Sequence, residues 1–431
     1  MNIKDLRPEL DKCVSCGRCL GVCPVYQLTG HEGSVARGKL ALLKAELDGP
    51  EDLHRRMKDL LSHCLLCGAC SENCASGVKG DEIIQTGRAM ALQGGGLNRL
   101  KSLLTRDILA RGLGAKAALK AKSLFLKNVP PESGLHFRFP VPGLGEGRWL
   151  PGLAEKSFLE DIPDLSTNQG EATNQGEAAN QGKGPRIALF VGCVANFMRP
   201  QSARAAIDLL HAAGASVVVP TQQVCCGKPA LGAGDLETAR YLARKNMSVF
   251  NPDDFDFMAT YCGTCSSQLK EYGAFLEDDK DKAQAAKLNG KVRDFTELLV
   301  NELNFKPDLS TGRTFEPLKV MYHDPCHLRR KQGIFKEPRQ LIKDLPGVEL
   351  VGEKEPAVCC GYGGIFNLWH YDKSQKLFQK RSESITPHQP DILTTNCSGC
   401  WLQFEDQTRR FEAPFRVMPL VELIRERGIK P

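Results

Sequence analysis

The chain has 431 residues, enough for about three domains, and its 42% hydrophobic content is ordinary for a globular protein. A net charge of +6 is mild for this length and does not indicate a nucleic-acid partner. The chain has 18 cysteines, and its N-terminus is polar and lacks the apolar core of a signal peptide. The sequence contains no apolar run of about 18 residues, the length needed to span a bilayer. These features argue against an extracellular disulfide framework and favour a cytoplasmic protein.

Two four-cysteine motifs occupy the N-terminal region. In each, three cysteines separated by two residues are followed by a fourth after three more residues. This is the spacing of bacterial two-cluster ferredoxins, in which three close cysteines bind one cubane and the fourth binds the other. The crossed pairing assigns Cys13, Cys16, Cys19 and Cys74 to one [4Fe–4S] cluster, and Cys64, Cys67, Cys70 and Cys23 to the second. Zinc, the alternative, accounts poorly for three cysteines this close together.

Glycines and a helical insert accompany these motifs. Gly17 and Gly68 are expected to form compact turns that bring backbone amides close to a cluster. Ala75 replaces the proline that is usual after the fourth cysteine, which leaves the ligand itself intact. Hydrophobic spacing predicts helices over Val35–Leu47 and Leu53–Leu61 between the motifs. In this the region resembles the helical ferredoxin domain of succinate dehydrogenase iron–sulfur subunits.

Two basic stretches leave alternatives open. The run Ser34–Lys39 resembles the arginine–glycine stretch after the first motif in that family, and it is either a solvated helix start or a cationic neighbour of an anionic cluster. From Leu97 to Lys127, eight lysines and arginines accompany a single acid, Asp107, in an amphipathic pattern. This segment is either a helix packed on its own protein or a contact with an anionic membrane surface or acidic partner.

The segment from Thr167 to Gly182 repeats the hexapeptide Thr-Asn-Gln-Gly-Glu-Ala and has no apolar residue larger than alanine. It cannot bury a core and is predicted to be a flexible linker. The predicted domains are a helical ferredoxin domain (1–95), a basic helical connector (96–160), the flexible linker (161–184) and two repeated units (185–310 and 315–431).

One five-cysteine pattern occurs twice in the C-terminal half. A single cysteine is followed, after 31 or 32 residues, by a vicinal cysteine pair. A glycine comes directly after the pair, and a Cys-x-x-Cys motif begins after the 35 or 36 residues that follow the pair. The first set is Cys193, Cys225, Cys226, Cys262 and Cys265, and the second set is Cys326, Cys359, Cys360, Cys397 and Cys400. Five thiolates exceed the four of a tetrahedral zinc site, whereas a larger inorganic core could use all five. The pattern therefore predicts iron–sulfur sites.

The repeated pattern resembles the CCG domain. That domain occurs in heterodisulfide reductase and in the iron–sulfur subunits of glycolate oxidase, lactate-utilisation and anaerobic glycerol-3-phosphate dehydrogenase complexes. In heterodisulfide reductase each motif holds a non-cubane four-iron cluster through its five cysteines. The resemblance implies one or two further iron–sulfur clusters here, besides the two cubanes. Buried structural cysteines, the alternative, would not repeat in the same register.

Each repeat is predicted to be α/β, so the fold class is a mainly α ferredoxin domain followed by two α/β units. Buried-strand runs lead directly to cysteines, as 186–191 leads to Cys193 and 391–395 leads to Cys397. Sites in open parallel sheets form beyond the carboxyl ends of the strands. The remaining predicted elements are strands at 215–219, 255–261, 319–322 and 348–351 and helices at 202–213 and 236–250.

The two units differ around their first cysteine. His323 and Asp324 precede Cys326 and His327 follows it, whereas apolar residues and glycine precede the first cysteine of the first unit. An imidazole beside a cluster can donate a hydrogen bond to sulfur and raise its potential, and an imidazole or a carboxyl group can carry a proton, so these three are the candidate catalytic residues. Alternatively, the histidine and aspartate at 323 and 324 only anchor the strand end. Residues 361–364 are expected to permit close backbone approach rather than bind phosphate.

The three cysteine sets use all 18 cysteines. No dinucleotide fingerprint, Walker motif or Gly-x-Ser-x-Gly elbow is found in the sequence, and hydride removal from a substrate requires a flavin or nicotinamide. The glycolate oxidase iron–sulfur subunit, which the chain resembles over nearly its whole length, implies a separate flavoprotein 2-hydroxy acid dehydrogenase partner. Electrons would then pass through this chain to quinone or another acceptor.

Two other functions stay open at this point. The chain could be a disulfide-cleaving subunit of the heterodisulfide reductase type, or the iron–sulfur subunit of a lactate dehydrogenase complex. The predicted location is cytoplasmic, with peripheral contact at the inner face of the membrane as a further expectation. No nucleic-acid partner is expected.

Overall fold

The computed structural model describes residues 6–48, 54–92, 134, 148–162, 184–308, 315–354 and 357–429. Its N-terminal part is helical and packs around an apolar cluster that includes Leu10, Leu43 and Ile84. Both helices predicted between the cysteine motifs are confirmed, each shifted by one residue. The helices of this part are α1 (Arg7–Asp11), α2 (Arg18–Val22), α3 (Pro24–Thr29), α4 (Ala36–Asp48), α5 (His54–Ser62), α6 (Ala69–Glu72) and α7 (Gly80–Leu92).

Of the predicted connector, the structure describes residue 134 and the stretch from 148, which continues to 162 and packs against both C-terminal units. Arg148 donates a hydrogen bond to a backbone carbonyl of the second unit at 2.7 Å. In the short helix α8 (Phe158–Asp161), Phe158 is buried in the apolar cluster that also contains Ile187 and Leu189 of the first sheet. The basic stretch 97–127 and the repeats of 167–182 lie outside the described residues, so their roles stay predictions.

The first C-terminal unit has a four-stranded parallel sheet in the order β2-β1-β3-β4. Its two central strands, β1 and β3, are largely buried, as expected for a parallel sheet covered on both faces. The strands are β1 (Arg186–Leu189), β2 (Ser216–Val218), β3 (Phe257–Thr260) and β4 (Val292–Asp294). The helices are α9 (Cys193–Phe197), α10 (Pro200–Ala212), α11 (Lys228–Ala233), α12 (Leu236–Val249), α13 (Gly263–Lys270), α14 (Tyr272–Phe275), α15 (Asp279–Lys291) and α16 (Phe295–Glu297).

The second unit repeats this topology, with strand order β6-β5-β7-β8 and parallel pairing throughout. The predicted fold class is confirmed, and the predicted strands of both units are present with ends shifted by at most two residues. The strands are β5 (Leu318–His323), β6 (Val348–Val351), β7 (Ile392–Thr395) and β8 (Arg416–Pro419). The helices are α17 (Cys326–Gln332), α18 (Lys336–Asp344), α19 (Ile365–Trp369), α20 (Tyr371–Ile385), α21 (Ser398–Arg410) and α22 (Leu420–Gly428).

The two units share their cores, and the helical part docks on both of them. One continuous apolar cluster contains Phe190 of the first unit together with Phe404 of the second. At the docking surface, Lys331 in α17 forms ion pairs with Asp81 at 2.8 Å and Glu82 at 2.9 Å, both in α7. Because parallel strands all end at one edge, this packing brings the cysteines that follow the strands towards the ferredoxin motifs.

Candidate metal centres

The first ferredoxin motif borders the solvent. Gly17, with a φ of +84°, directly precedes α2 and allows the turn that leaves Cys16 exposed. Arg37 donates a hydrogen bond from Nη1 to a backbone carbonyl of the motif at 3.1 Å. Cys74 of the second motif is the predicted fourth ligand. It packs against the same apolar cluster as Cys13 and Cys19 of the first motif. The predicted ligands of the first cluster therefore border one apolar cluster, with Cys16 at the surface.

The second ferredoxin motif surrounds a cavity. Its three cysteines, Cys64, Cys67 and Cys70, line this cavity together with Cys23 of the first motif. Burial raises the pKa of Cys23 to about 11, and the neighbouring thiols of Cys64 and Cys67 add to the increase. Gly68, with a φ of +73°, begins α6 and permits the turn between the ligands. The structure thus brings Cys23 to the other motif, as crossed pairing requires.

Buried cations lie around the second motif. Lys39 is fully buried and donates to a backbone carbonyl at 2.7 Å. Burial lowers the pKa of Lys39, although nearby thiols, Cys64 first among them, partly oppose the decrease. Arg88 in α7 donates to backbone carbonyl oxygens, including that of Cys64. Arg330, from α17 of the second unit, donates to the Cys67 carbonyl oxygen at 3.2 Å. Positive charge close to these thiols stabilises a bound anionic cluster.

These cations bear on the alternatives left open for the run at residues 34–39. Lys39 faces the thiols of the second motif, whereas Arg37 pairs with Glu32 at the surface. Sequence reasoning missed Arg88 and Arg330. A signal existed for Arg88, because it lies four residues after Ile84 and therefore on the apolar face of α7. No local pattern marks Arg330, whose role follows from docking between remote segments.

The five cysteines of the first unit meet at the carboxyl edge of its sheet. Cys193 begins α9 after β1, the vicinal pair precedes α11, and the Cys-x-x-Cys follows β3 at the start of α13. Gly227, with a φ of +89°, begins α11 directly after the vicinal pair. The thiols contact one another in a row, in the order Cys193, Cys225, Cys226, Cys265 and Cys262. The sequence-predicted first set is therefore one spatial cluster.

The second unit forms an equivalent row of thiols. The order of contact is Cys326, Cys359, Cys360, Cys400 and Cys397. Hydrogen bonds between neighbouring thiols lower the pKa of Cys326, Cys360 and Cys397 and raise the pKa of Cys359 and Cys400. Neighbouring buried thiolates repel one another, so all five ionise together only when a cation binds them.

The three thiol sets are joined by contacts between remote residues. Between the two units, the thiol of Cys262 contacts that of Cys397, and the Thr264 hydroxyl lies 3.2 Å from the Cys397 sulfur. Between the ferredoxin part and the second unit, the thiol of Cys67 contacts that of Cys359. The second ferredoxin site, the second CCG site and the first CCG site are therefore contiguous.

Residues after the vicinal cysteines reach across to the opposite unit. Tyr362 of the second unit is partly buried. Desolvation raises its pKa to about 12, and the thiol of Cys193 in the first unit contributes to the increase. Lys228 of the first unit in turn lies close to His327 of the second. Its positive charge partly opposes the rise in the pKa of His327 that Cys326 causes. Gly363, with a φ of +55°, leaves no room for a Cβ beside Leu65 of the ferredoxin part. Close approach is therefore found at Gly361 and Gly363, whereas a Cβ at Gly364 would meet nothing within 4 Å.

The three candidate catalytic residues have different surroundings. His323 ends β5, is 1% exposed and lies beside Cys360. His327 has its Nδ1 3.7 Å from the Cys326 sulfur. Burial lowers the pKa of His327, but the charge and hydrogen bond of Cys326 outweigh burial and leave it raised. The two imidazoles thus border the second thiol set.

Asp324 instead turns towards arginines. Its carboxylate accepts hydrogen bonds from Arg339 at 2.8 and 2.7 Å and from Arg329 at 3.2 Å. Burial would raise the pKa of Asp324, but these arginines outweigh burial and lower it. This is the anchoring role that the sequence left open for Asp324. A catalytic role for any of the three residues stays a prediction.

The donor sets fit iron–sulfur clusters better than single ions. Each C-terminal row supplies five thiols, and an inorganic core with several irons can bind them all, whereas zinc binds four. The ferredoxin sites supply cysteine donors in the number and spacing of [4Fe–4S] cubanes. Iron–sulfur clusters accept and release single electrons, which is the chemistry that these sites provide.

The profile of the cysteine-rich domain, CCG, matches residues 187–270 and 320–405, and the profile of the 4Fe-4S dicluster domain matches residues 9–78. These matches cover all three thiol sets. The fold and the sites define an iron–sulfur electron-transfer protein with a dicluster ferredoxin part and two cysteine-rich units. Among the described residues, no helix is long and apolar enough to cross a membrane.

Similar proteins extend over most of the chain. The probable glycolate oxidase iron-sulfur subunit of Bacillus subtilis is 30% identical over 97% of this chain and 94% of its own length. A fumarate reductase (CoM/CoB) subunit of Methanothermobacter marburgensis is 26% identical over 98% of this chain and 74% of its own length. Lactate utilization protein A of Geobacillus thermodenitrificans is 29% identical over 56% of this chain and 100% of its own length. The chain belongs to the family of the glycolate oxidase iron–sulfur subunit.

Proposed function

We propose that this chain is the iron–sulfur subunit of a glycolate oxidase-type complex. A flavoprotein 2-hydroxy acid dehydrogenase partner oxidises the substrate, and this chain carries the electrons to quinone or another acceptor. Two features support the proposal: a similarity to the Bacillus subtilis relative that spans 97% of the chain, and the names of relatives in lactate utilization. The complex is cytoplasmic, with peripheral contact at the inner face of the membrane through the basic residues of 97–127.

The observation that carries the proposal is the contiguity of the thiol sets. The exposed Cys16 marks the ferredoxin site nearest solvent, where a partner can exchange electrons. Contact between Cys67 and Cys359 links the second ferredoxin site to the second unit, and contact between Cys262 and Cys397 continues to the first unit. A protein in which a single cluster only stabilises the fold does not need a series of neighbouring cluster sites. We assign the ligands of each site as the sequence spacing predicts.

The buried cations support inward transfer along this series. Reduction adds negative charge to a cluster, and a nearby cation stabilises the reduced form. Lys39, Arg88 and Arg330 lie at the second ferredoxin site, whereas the first has Arg37 at the surface. We therefore expect the second ferredoxin site to have the higher potential of the two, so that electrons that enter at the surface move inward.

The test has two parts. Protein purified anaerobically is expected to contain iron and acid-labile sulfide well above the about eight atoms each of two [4Fe–4S] cubanes. Values near eight, with reactive thiols in the C-terminal units, would contradict cluster binding by those units. Glycolate or lactate should reduce the clusters only when the flavoprotein is added, as monitored by electron paramagnetic resonance. Turnover of either substrate by the isolated chain without flavin would contradict the relay function.

A second candidate is a disulfide-cleaving subunit of the heterodisulfide reductase type. Its support is the completeness of both five-thiol rows and the similarity to a subunit whose name includes CoM/CoB. The two functions differ in their substrate. Reduced protein that is reoxidised by a mixed organic disulfide, and not by a quinone analogue, would favour the second candidate. The third possibility, a lactate dehydrogenase complex, differs from the first only in the partner and is distinguished by which 2-hydroxy acid reduces the clusters.

A further inference from the structure

His323 is a buried imidazole without a protein hydrogen bond on one nitrogen. It ends β5, is 1% exposed, and among the described residues its Nε2 atom has no hydrogen-bond partner. A buried polar atom left unpaired costs about 1–3 kcal/mol, so such an atom in a native protein usually binds an ordered water, an ion or another ligand. The surroundings of His323 indicate what that ligand is.

The imidazole faces two thiols of the second CCG set. A ring nitrogen of His323 and the sulfur atoms of Cys360 and Cys400 all lie within 4.8 Å of one another, and all three residues are buried. Nitrogen and sulfur ligands bind a metal at about 2.0–2.3 Å, so donors on one metal lie within about 4.6 Å of each other. The group is therefore compact enough to bind one iron after small shifts.

The ring is held in this orientation by packing. Phe404 of α21 meets it edge to face, with 4.8 Å between ring centroids. At the equivalent position of the first unit, three residues before its first cysteine, stands Phe190, which is fully buried and offers no donor. The same position in the repeat thus holds a nitrogen donor in one unit and a hydrocarbon ring in the other.

We propose that His323 supplies a nitrogen ligand to the iron–sulfur cluster of the second unit, in addition to its cysteine thiolates. The neutral imidazole binds iron through the lone pair of one ring nitrogen and keeps its proton on the other. The first unit, with Phe190, binds its cluster through sulfur alone. The two clusters then differ in ligand chemistry although their cysteine patterns are the same. This inference rests on the proposed assignment of the second five-cysteine set as cluster ligands.

The experiment is pulsed electron paramagnetic resonance on the anaerobically purified full chain. The second-unit signal is identified as the one abolished by Cys360→Ser. In the natural chain this signal should carry a strong nitrogen coupling that changes when histidine is labelled with nitrogen-15. His323→Phe, which installs the residue found at position 190, should abolish that coupling completely. His327→Gln, a change to the neighbouring imidazole of the same unit, should leave it intact.

The possible outcomes separate the inference from the proposed function. A second-unit signal without histidine coupling, or with coupling that persists in His323→Phe, overturns the inference and leaves the cysteine assignment standing. Complete absence of a second-unit signal, together with iron near that of two cubanes, overturns both. If His323→Phe fails to fold, His323→Gln, which keeps a polar side chain of similar reach, is measured instead and should likewise lose the coupling.

Discussion

The thiol of Cys67 in the second ferredoxin motif contacts the thiol of Cys359 in the second CCG unit. Nearly 300 residues of sequence separate the two, and the contact forms because α7 of the ferredoxin part docks on α17 through Lys331 and its acidic partners. The second unit therefore meets the second ferredoxin motif through a thiol, whereas the first unit meets the ferredoxin part through α11, which packs on α7. In the proposed relay, electrons that leave the ferredoxin part reach the second unit first.

Arg330 is expected to raise the potential of both sites at this junction. Its side chain is 9% exposed and lies close to the thiols of Cys67 and Cys359. A unit charge at about 8 Å and an effective permittivity of about 20 contributes about 2 kcal/mol. Arg330→Gln should therefore lower the potentials of the second ferredoxin cluster and the second CCG cluster by on the order of 50–100 mV. Redox titration followed by electron paramagnetic resonance measures both.

The control for this charge is Arg416→Gln, which removes an exposed arginine at the start of β8. It should leave all potentials unchanged. Equal shifts in the two variants would mean that overall charge, and not the position of Arg330, sets the potentials.

Gly363 is expected to be required for docking between the ferredoxin part and the second unit. A Cβ at this position would lie 2.7 Å from a methyl carbon of Leu65 and 2.9 Å from Phe366. Gly363→Ala should therefore cost about 1–3 kcal/mol for overpacking, beyond the about 1–2 kcal/mol of a left-handed alanine. Gly333→Ala is the matched control, since its φ is +72° and a Cβ there meets nothing within 4 Å. Anaerobic urea unfolding compares the two, and equal losses would contradict tight packing at Leu65.

Asp294 is expected to make stability depend on pH. Burial raises the pKa of Asp294 to about 7, from an ordinary value of 3.8. Between about pH 4 and 7 the folded chain therefore binds more protons at this site than the unfolded chain, and stability falls as the pH rises through this window. Its carboxylate accepts hydrogen bonds from Asn396 of the second unit at 2.9 and 2.8 Å, so the effect acts at the interface between the units.

Asp294→Asn should remove this dependence, because an amide does not titrate. The free energy of unfolding of the natural chain should fall by about 2–4 kcal/mol from low to high pH in the window, and that of the variant should stay level. The exposed Asp253→Asn serves as control and should retain the natural slope. The same slope in Asp294→Asn as in the natural chain would show that this carboxyl ionises normally in the fold.

The second CCG unit is expected to matter more than the first for electron transfer. Cys360 lies between the ferredoxin contact and the first unit, with His323 beside it. Cys360→Ser should therefore reduce transfer from the flavoprotein to the final acceptor more than Cys226→Ser, while the cubane signals persist in both variants. Soluble yield and helical circular dichroism confirm that each variant folds. Loss of transfer only in Cys226→Ser would reverse the order of the sites.

Local patterns predicted much of this protein. Cysteine spacing identified the ferredoxin motifs and both five-cysteine sets, and apolar runs before Cys193 and Cys397 predicted strands that the structure contains. These features could be predicted because ligand spacing and hydrophobic periodicity are properties of short segments. The same reasoning ranked His323 and Asp324 together, although the first faces thiols and the second faces arginines. Successive side chains of an extended chain point to opposite sides, as at the end of β5, but the sequence does not say what lies on each side.

The contacts between sites depend instead on packing between remote segments. Cys67 meets Cys359, Cys262 meets Cys397, and Arg330 reaches the second ferredoxin motif because separate elements share cores and ion pairs. No short segment carries that information, since each contact is stabilised by many residues that lie far apart along the chain. The number and type of metal ligands can therefore be predicted from the local spacing of the cysteines. Which sites are neighbours follows from how the three parts pack together.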